Sequence, residues 1–167
     1  MKLSLISILL TLGTTLGEDL TSAKYTITNA QYTGGSLSAS SISEASSKPQ
    51  AFQIHNELSK SSTNSASDDA GNDQLKTWQL NSVGNGYWTL QNAVTKQYLV
   101  PQAGNTLKFS KTSPFPWRIL PLPGDLYLIT CSNNQYALAL KGPTTPDIDL
   151  SPATGAVTQN WVFTKVE

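Results

Sequence analysis

The sequence predicts an all-β domain made of three four-stranded repeats, and three observations point there. Three tryptophans each precede an apolar side chain by two residues, in Trp78-Gln79-Leu80, Trp117-Arg118-Ile119 and Trp161-Val162-Phe163, the period of a half-buried strand. A second aromatic follows at a fixed interval: Trp88 stands ten residues after Trp78, and Tyr127 ten after Trp117. Equivalent strands therefore recur in phase. No stretch sustains a helical period, and Gly, Pro, Asn and Ser separate the short β-rich runs.

The N-terminus reads as a secretory leader. Lys2 supplies the positive start, Leu3 to Leu12 an apolar run broken only by Ser4, Ser7 and Thr11, and Thr15 and Gly17 the small residues of a cleavage site. Cleavage is expected after Gly17, giving a leader over residues 1–17 and a domain over 18–167. The run is too short to span a bilayer, and no longer apolar stretch follows. The mature protein is expected outside the cell, with no membrane insertion.

Each repeat resolves into four strands. The first reads Tyr25-Thr26-Ile27-Thr28-Asn29, Trp88-Thr89-Leu90-Gln91-Asn92 and Tyr127-Leu128-Ile129-Thr130-Cys131. The second runs from Gly35 to Ser40, Gln97 to Gln102 and Gln135 to Leu140. The third runs from Ala51 to His55, Thr106 to Ser110 and Asp147 to Ser151, around the shared apolar-polar-apolar triplets Phe52-Gln53-Ile54, Leu107-Lys108-Phe109 and Ile148-Asp149-Leu150. The tryptophans sit on the fourth. The repeats fall at about residues 23–80, 86–121 and 125–166. One unit alone cannot bury its apolar face; three together close a common core, as a three-fold barrel with hairpin caps requires. Between Glu57 and Gln74 lies an insertion of mostly Ser, Asn, Asp, Ala and Thr, too polar to offset its ordering entropy and so expected to be a mobile loop.

Composition narrows the function classes. Acidic and basic residues balance at 11 each, and Arg118 is the one arginine, so nothing marks a nucleic-acid or anionic-membrane partner. One cysteine, Cys131, allows no internal disulfide; it reads as a small buried hydrophobe on a strand or as a thiol pairing between molecules. The single histidine, His55, has no nucleophile in a recognisable context, and one His with one Cys makes no zinc set. Asp68, Asp69 and Asp73 lack calcium-loop spacing. Asp147 and Asp149, two apart on one strand, do not face each other across a cleft as hydrolytic pairs do. The expectation is no catalysis, no metal and no cofactor.

With its three-fold pattern and Gln159-Asn160-Trp161, the chain resembles the ricin-B-type lectins, β-trefoils, of the secreted, fungal, disulfide-free kind. That family carries Gln-x-Trp on the last strand of each repeat; Lys76-Thr77-Trp78 and Phe115-Pro116-Trp117 keep the tryptophan and lose the glutamine. The likeness runs from Ala23 to Glu167. It implies a structural role for Trp78, Trp117, Gln159 and Trp161, and glycans as partners.

The resemblance also implies where a sugar would sit. A galactose-type site takes an aspartate from the second strand, a polar residue and then an aromatic from the third, and an asparagine just before the Gln-x-Trp glutamine. Gln53 and His55 occupy the third-strand positions in the first repeat, but Ser38 and Leu75 replace the aspartate and asparagine. Val100 and Ser110 break the set in the second repeat; Ala139 or a neighbour, Ser151 and Thr158 break it in the third. The expected ligand is therefore not simple galactose. Tyr98 and Phe115 either form an aromatic shelf for a sugar on the second repeat or pack the barrel mouth, and Asp147 and Asp149 either accept sugar hydroxyls or are solvated strand-face charges. Two other readings stand beside the lectin. One is a protease inhibitor acting through the insertion, with a protease as partner; the other is a stable secreted partner-binding or defence protein with no glycan site left.

Overall fold

The computed structural model describes residues 19–31, 35–39, 54–56, 75–141 and 148–167, with 54–56 described by its backbone. The expected leader, Gln53, the Glu57 to Gln74 insertion and Asp147 lie outside the described residues. Twelve strands are described: β1 Lys24–Asn29, β2 Gly35–Leu37, β3 Ile54–Asn56, β4 Thr77–Gly84, β5 Tyr87–Asn92, β6 Tyr98–Gln102, β7 Thr106–Ser110, β8 Trp117–Leu122, β9 Leu126–Thr130, β10 Tyr136–Leu140, β11 Ile148–Pro152 and β12 Asn160–Lys165. A 3-10 turn, Val157–Gln159, leads into β12. No helix among the described residues is long and apolar enough to cross a membrane.

Strand boundaries differ from the sequence reading at several ends: β1, β5 and β9 begin one residue early, β2 ends at Leu37, and β3 and β11 run on to Asn56 and Pro152. Three further differences arise because a backbone group is spent on a turn. β6 and β10 begin one residue late, since the Gln97 N–H donates to Thr95 Oγ1 and the Gln135 N–H to Asn133 Oδ1. β9 stops at Thr130, because the carbonyl of Cys131 accepts the Asn134 N–H and closes the following turn. Cys131 is thus half-buried beyond the strand end, against the core edge, and not a fully buried strand residue.

The pairings close a ring. β1 pairs with β4, β4 with β5, β5 with β8, β8 with β9, β9 with β12 and β12 with β1, all antiparallel. This six-stranded barrel has no free edge. Three hairpins, β2–β3, β6–β7 and β10–β11, attach to β1, β5 and β9. The ten-residue spacing read from the sequence is the register of two barrel hairpins: Leu80 lies opposite Leu90, and Ile119 opposite Ile129.

The interior follows from strand alternation. β1 buries Tyr25, Ile27 and Asn29, β4 buries Trp78 and Leu80, and β8 buries Trp117 and Ile119. Trp78, Trp117 and Trp161 are each 0% exposed, so the three indoles are core and not a ligand surface. Burying rings of that size supplies the largest apolar area any side chain can.

Candidate functional site

The hairpin caps are the elements the resemblance assigns to ligand contact, and the indoles hold them in place. Trp78 Nε1–H donates to the Leu37 carbonyl at 2.9 Å, Trp117 Nε1–H to that of Leu99 at 2.9 Å, and Trp161 Nε1–H to that of Leu138 at 3.1 Å. Each last-strand tryptophan therefore clamps the second strand of its own repeat at one equivalent leucine. A buried indole N–H without a partner is costly, so the bond sets each hairpin's position.

Anchors at the strand ends repeat with variation. Asn29 and Asn92 close β1 and β5, both 0% exposed. Each Nδ2 donates to the carbonyl three residues before a tryptophan of the preceding repeat, Thr158 at 2.9 Å and Leu75 at 2.7 Å. Their Oδ1 atoms accept backbone N–H groups from the turns that follow. Cys131 is the third equivalent: its N–H donates to the Tyr136 carbonyl as that of Asn92 does to Gln97. Burial pushes its thiol pKa above the ordinary value. Sequence reading passed over these asparagines, although both stand four residues after the opening aromatic, Tyr25 or Trp88.

Gln159, the glutamine of the complete Gln-x-Trp, is buried and structural. Its Nε2 donates to the Pro152 carbonyl at 2.7 Å, while its Oε1 accepts the N–H groups of Thr154 and Gly155 at 3.0 and 2.9 Å. It ties the end of β11 to the start of β12. Phe115, two residues before Trp117, packs edge-on against that indole with centroids 5.0 Å apart.

Because Leu37, Leu99 and Leu138 are equivalent, Ser38, Val100 and Ala139 are too. All three are buried, at 2%, 6% and 4% exposure, and none carries a carboxylate. Register then shows what lies across each hairpin. Val100 faces Lys108, and Tyr98 faces Ser110, on β6–β7. Ala139 faces Asp149, and Ala137 faces Ser151, on β10–β11. Strand alternation puts these residues on the face opposite Leu99, Leu107 and Phe109, or Leu138, Ile148 and Leu150, which join the core. In the third repeat the acid thus stands on β11, directly opposite the second-strand position the resemblance assigns it. In the second repeat the aromatic stands on β6, opposite the assigned position on β7.

The two faces differ in charge. Asp149 Oδ2 pairs with Lys141 Nζ at 3.3 Å, and the Ser151 hydroxyl lies 3.3 Å from Asp149 Oδ1. Among the described residues Tyr98 has no ring or hydrogen-bonding side-chain partner, and Lys108 has no ion pair. Tyr98 and Phe115 are therefore not a joined shelf: Phe115 sits against the core beside Trp117, while Tyr98 stands on the hairpin face. On the first hairpin the backbone of His55 pairs with Ser36, the place equivalent to Ser110 and Ser151. Gln53 and the side chain of His55 are outside the described residues, as is the insertion that carries the inhibitor reading.

The fold is shared with known proteins. A lectin of Macrolepiota procera, solved as a ricin B-like lectin in complex with lactose, matches at TM-score 0.65 and 21% identity, over 89% of this chain and 99% of that one. The Rhizoctonia solani agglutinin matches at TM-score 0.65 and 20% identity, over 89% and 98%. The Polyporus squamosus lectin, bound to a human-type influenza-binding epitope, matches at TM-score 0.65 and 19% identity, over 88% of this chain and 50% of that one. No curated protein sequence matches significantly. The model of the family described as ricin-type beta-trefoil lectin domain-like matches residues 74–161, just over half of the sequence. With three indole-clamped repeats around a closed barrel, the chain belongs to the ricin-type β-trefoil lectin domain-like family.

Proposed function

We propose that this is a secreted, lectin-like carbohydrate-binding protein without catalysis, whose ligand is not simple galactose. The observation that carries the reading is the pair of register-equivalent hairpin faces. One presents Tyr98, Lys108 and Ser110, the other Asp149 and Ser151, on the two strands where the family resemblance places sugar contacts. A sugar needs an apolar surface under its ring and polar groups for its hydroxyls, and these faces supply both kinds. The neighbouring structures with lactose and with a sialylated epitope support the same ligand class. Buried Ser38, Val100 and Ala139 at the assigned acidic positions argue against the ordinary galactose constellation, since that specificity depends on pairing particular hydroxyls.

A glycan array on the full chain, followed by calorimetry at millimolar sugar, tests the proposal. Binding is expected, weakened by Tyr98→Ala or His55→Ala; silence across a broad array overturns it. For secretion, the protein recovered from culture medium is expected to begin at Glu18, and retention of the chain inside the cell with its leader intact would reject that part.

A further inference from the structure

The β6–β7 face differs from its β10–β11 counterpart in one respect that bears on ligand charge. On β10–β11 the acid is already met by a cation, Lys141. On β6–β7 the cation Lys108 is exposed and has no acidic partner among the described residues. Register makes Lys108 the diagonal neighbour of Tyr98 on one strand face, through Ser110 and Val100, at roughly 7–8 Å by ordinary strand geometry. Tyr98 is half-buried, with its hydroxyl and ring both unengaged among the described residues. Val100 between them is buried, an apolar floor, and Ser110 adds a hydroxyl at the end of β7.

We infer that this face takes an anionic saccharide, with the Tyr98 ring under the apolar side of one pyranose and Lys108 pairing the acid group carried beside it. The inference rests on the carbohydrate-binding reading above and deepens it. A flexible lysine suits this arrangement, because its ammonium is a point charge on a long stem that can follow an acid at the edge of a stacked ring. Stacking on one flank and charge on the other also divide the labour: the ring supplies affinity for the sugar, the ammonium preference among sugars. The whole chain is near neutral, so long-range steering does not produce the preference; it has to come from this local pair.

The test compares lactose, sialyllactose and 3′-sulfolactose by calorimetry with the full chain. Sialyllactose or sulfolactose is expected to bind more tightly than lactose, about three- to fivefold as an exposed ion pair allows, and the advantage should shrink as salt is raised. Lys108→Gln is expected to abolish that advantage, bringing the three ligands to one affinity, without moving the melting temperature; Tyr98→Ala should weaken all three ligands, and Tyr98→Phe should retain them. Lys165→Gln, on the distant β12, should alter nothing. The two acidic probes separate a carboxylate from a sulfate ester as the preferred acid. Lactose binding with no acidic preference, or a preference that survives Lys108→Gln, overturns this inference and leaves the lectin reading intact. Silence toward every glycan overturns both.

Discussion

Each of the three core indoles donates its Nε1–H to a second-strand leucine carbonyl, and this gives the residue scale its sharpest expectation. Trp117→Phe keeps much of the apolar area but strands the Leu99 carbonyl, and is expected to cost about 2 kcal/mol in urea unfolding; Trp117→Ala should cost about 3–5 kcal/mol. A cost near zero for the phenylalanine variant would remove the clamp from the argument. Cys131 supplies a pH dependence. Burial raises its pKa, so the folded chain holds the thiol proton more tightly than the unfolded chain does. Its contribution to stability is therefore complete below the ordinary thiol pKa and is lost as pH rises through the folded value. Urea midpoints measured at neutral and alkaline pH should fall more in the wild type than in Cys131→Ala. The tryptophans were legible in the sequence as core because their period marked one strand face. Asn29 and Asn92 were not, because a polar residue at a strand end reads as a turn until its buried partners are seen.

Turns connect the elements, and their backbone conformations set the registers. At the β4–β5 turn Asn85 and Gly86 both have positive φ, 53° and 75°, the geometry whose twist matches two antiparallel strands. Gly86→Ala is expected to destabilise by about 1 kcal/mol, since a Cβ disfavours that region even where space is open; a thermal melt unchanged by the substitution would contradict this. All twelve strands were readable from alternation and spacing, but several of their ends were not; the late starts of β6 and β10 come where Thr95 and Asn133 take a backbone N–H that the pattern alone assigns to a ladder. The hairpin faces were half legible. Sequence placed Tyr98 among the candidates, but its standing opposite Ser110 and diagonal to Lys108 depends on register, which composition does not carry. Phe115 was paired with Tyr98 by proximity of kind; its contact with Trp117 shows that two residues of chain distance decided its place.

At the scale of the molecule, the ring of six strands passes its continuity from the last strand to the first. β12 lies against β1 over five residue pairs, from Tyr25 opposite Lys165 to Asn29 opposite Trp161, and the Val166 N–H donates to the Lys24 carbonyl at 2.9 Å. The junction between repeats three and one is thus built like the hairpins β4–β5 and β8–β9, except that no peptide bond crosses it. A circular permutant follows from this: a short glycine-rich bridge from residue 167 back to residue 19, with new ends opened between Asn85 and Gly86, should fold to the same barrel, because neither cut nor bridge falls within a paired segment. Retained tryptophan fluorescence and a cooperative melt would show that the order in which the three units are threaded is incidental to the architecture, whereas an unfolded permutant would mean that one seam is privileged in assembly.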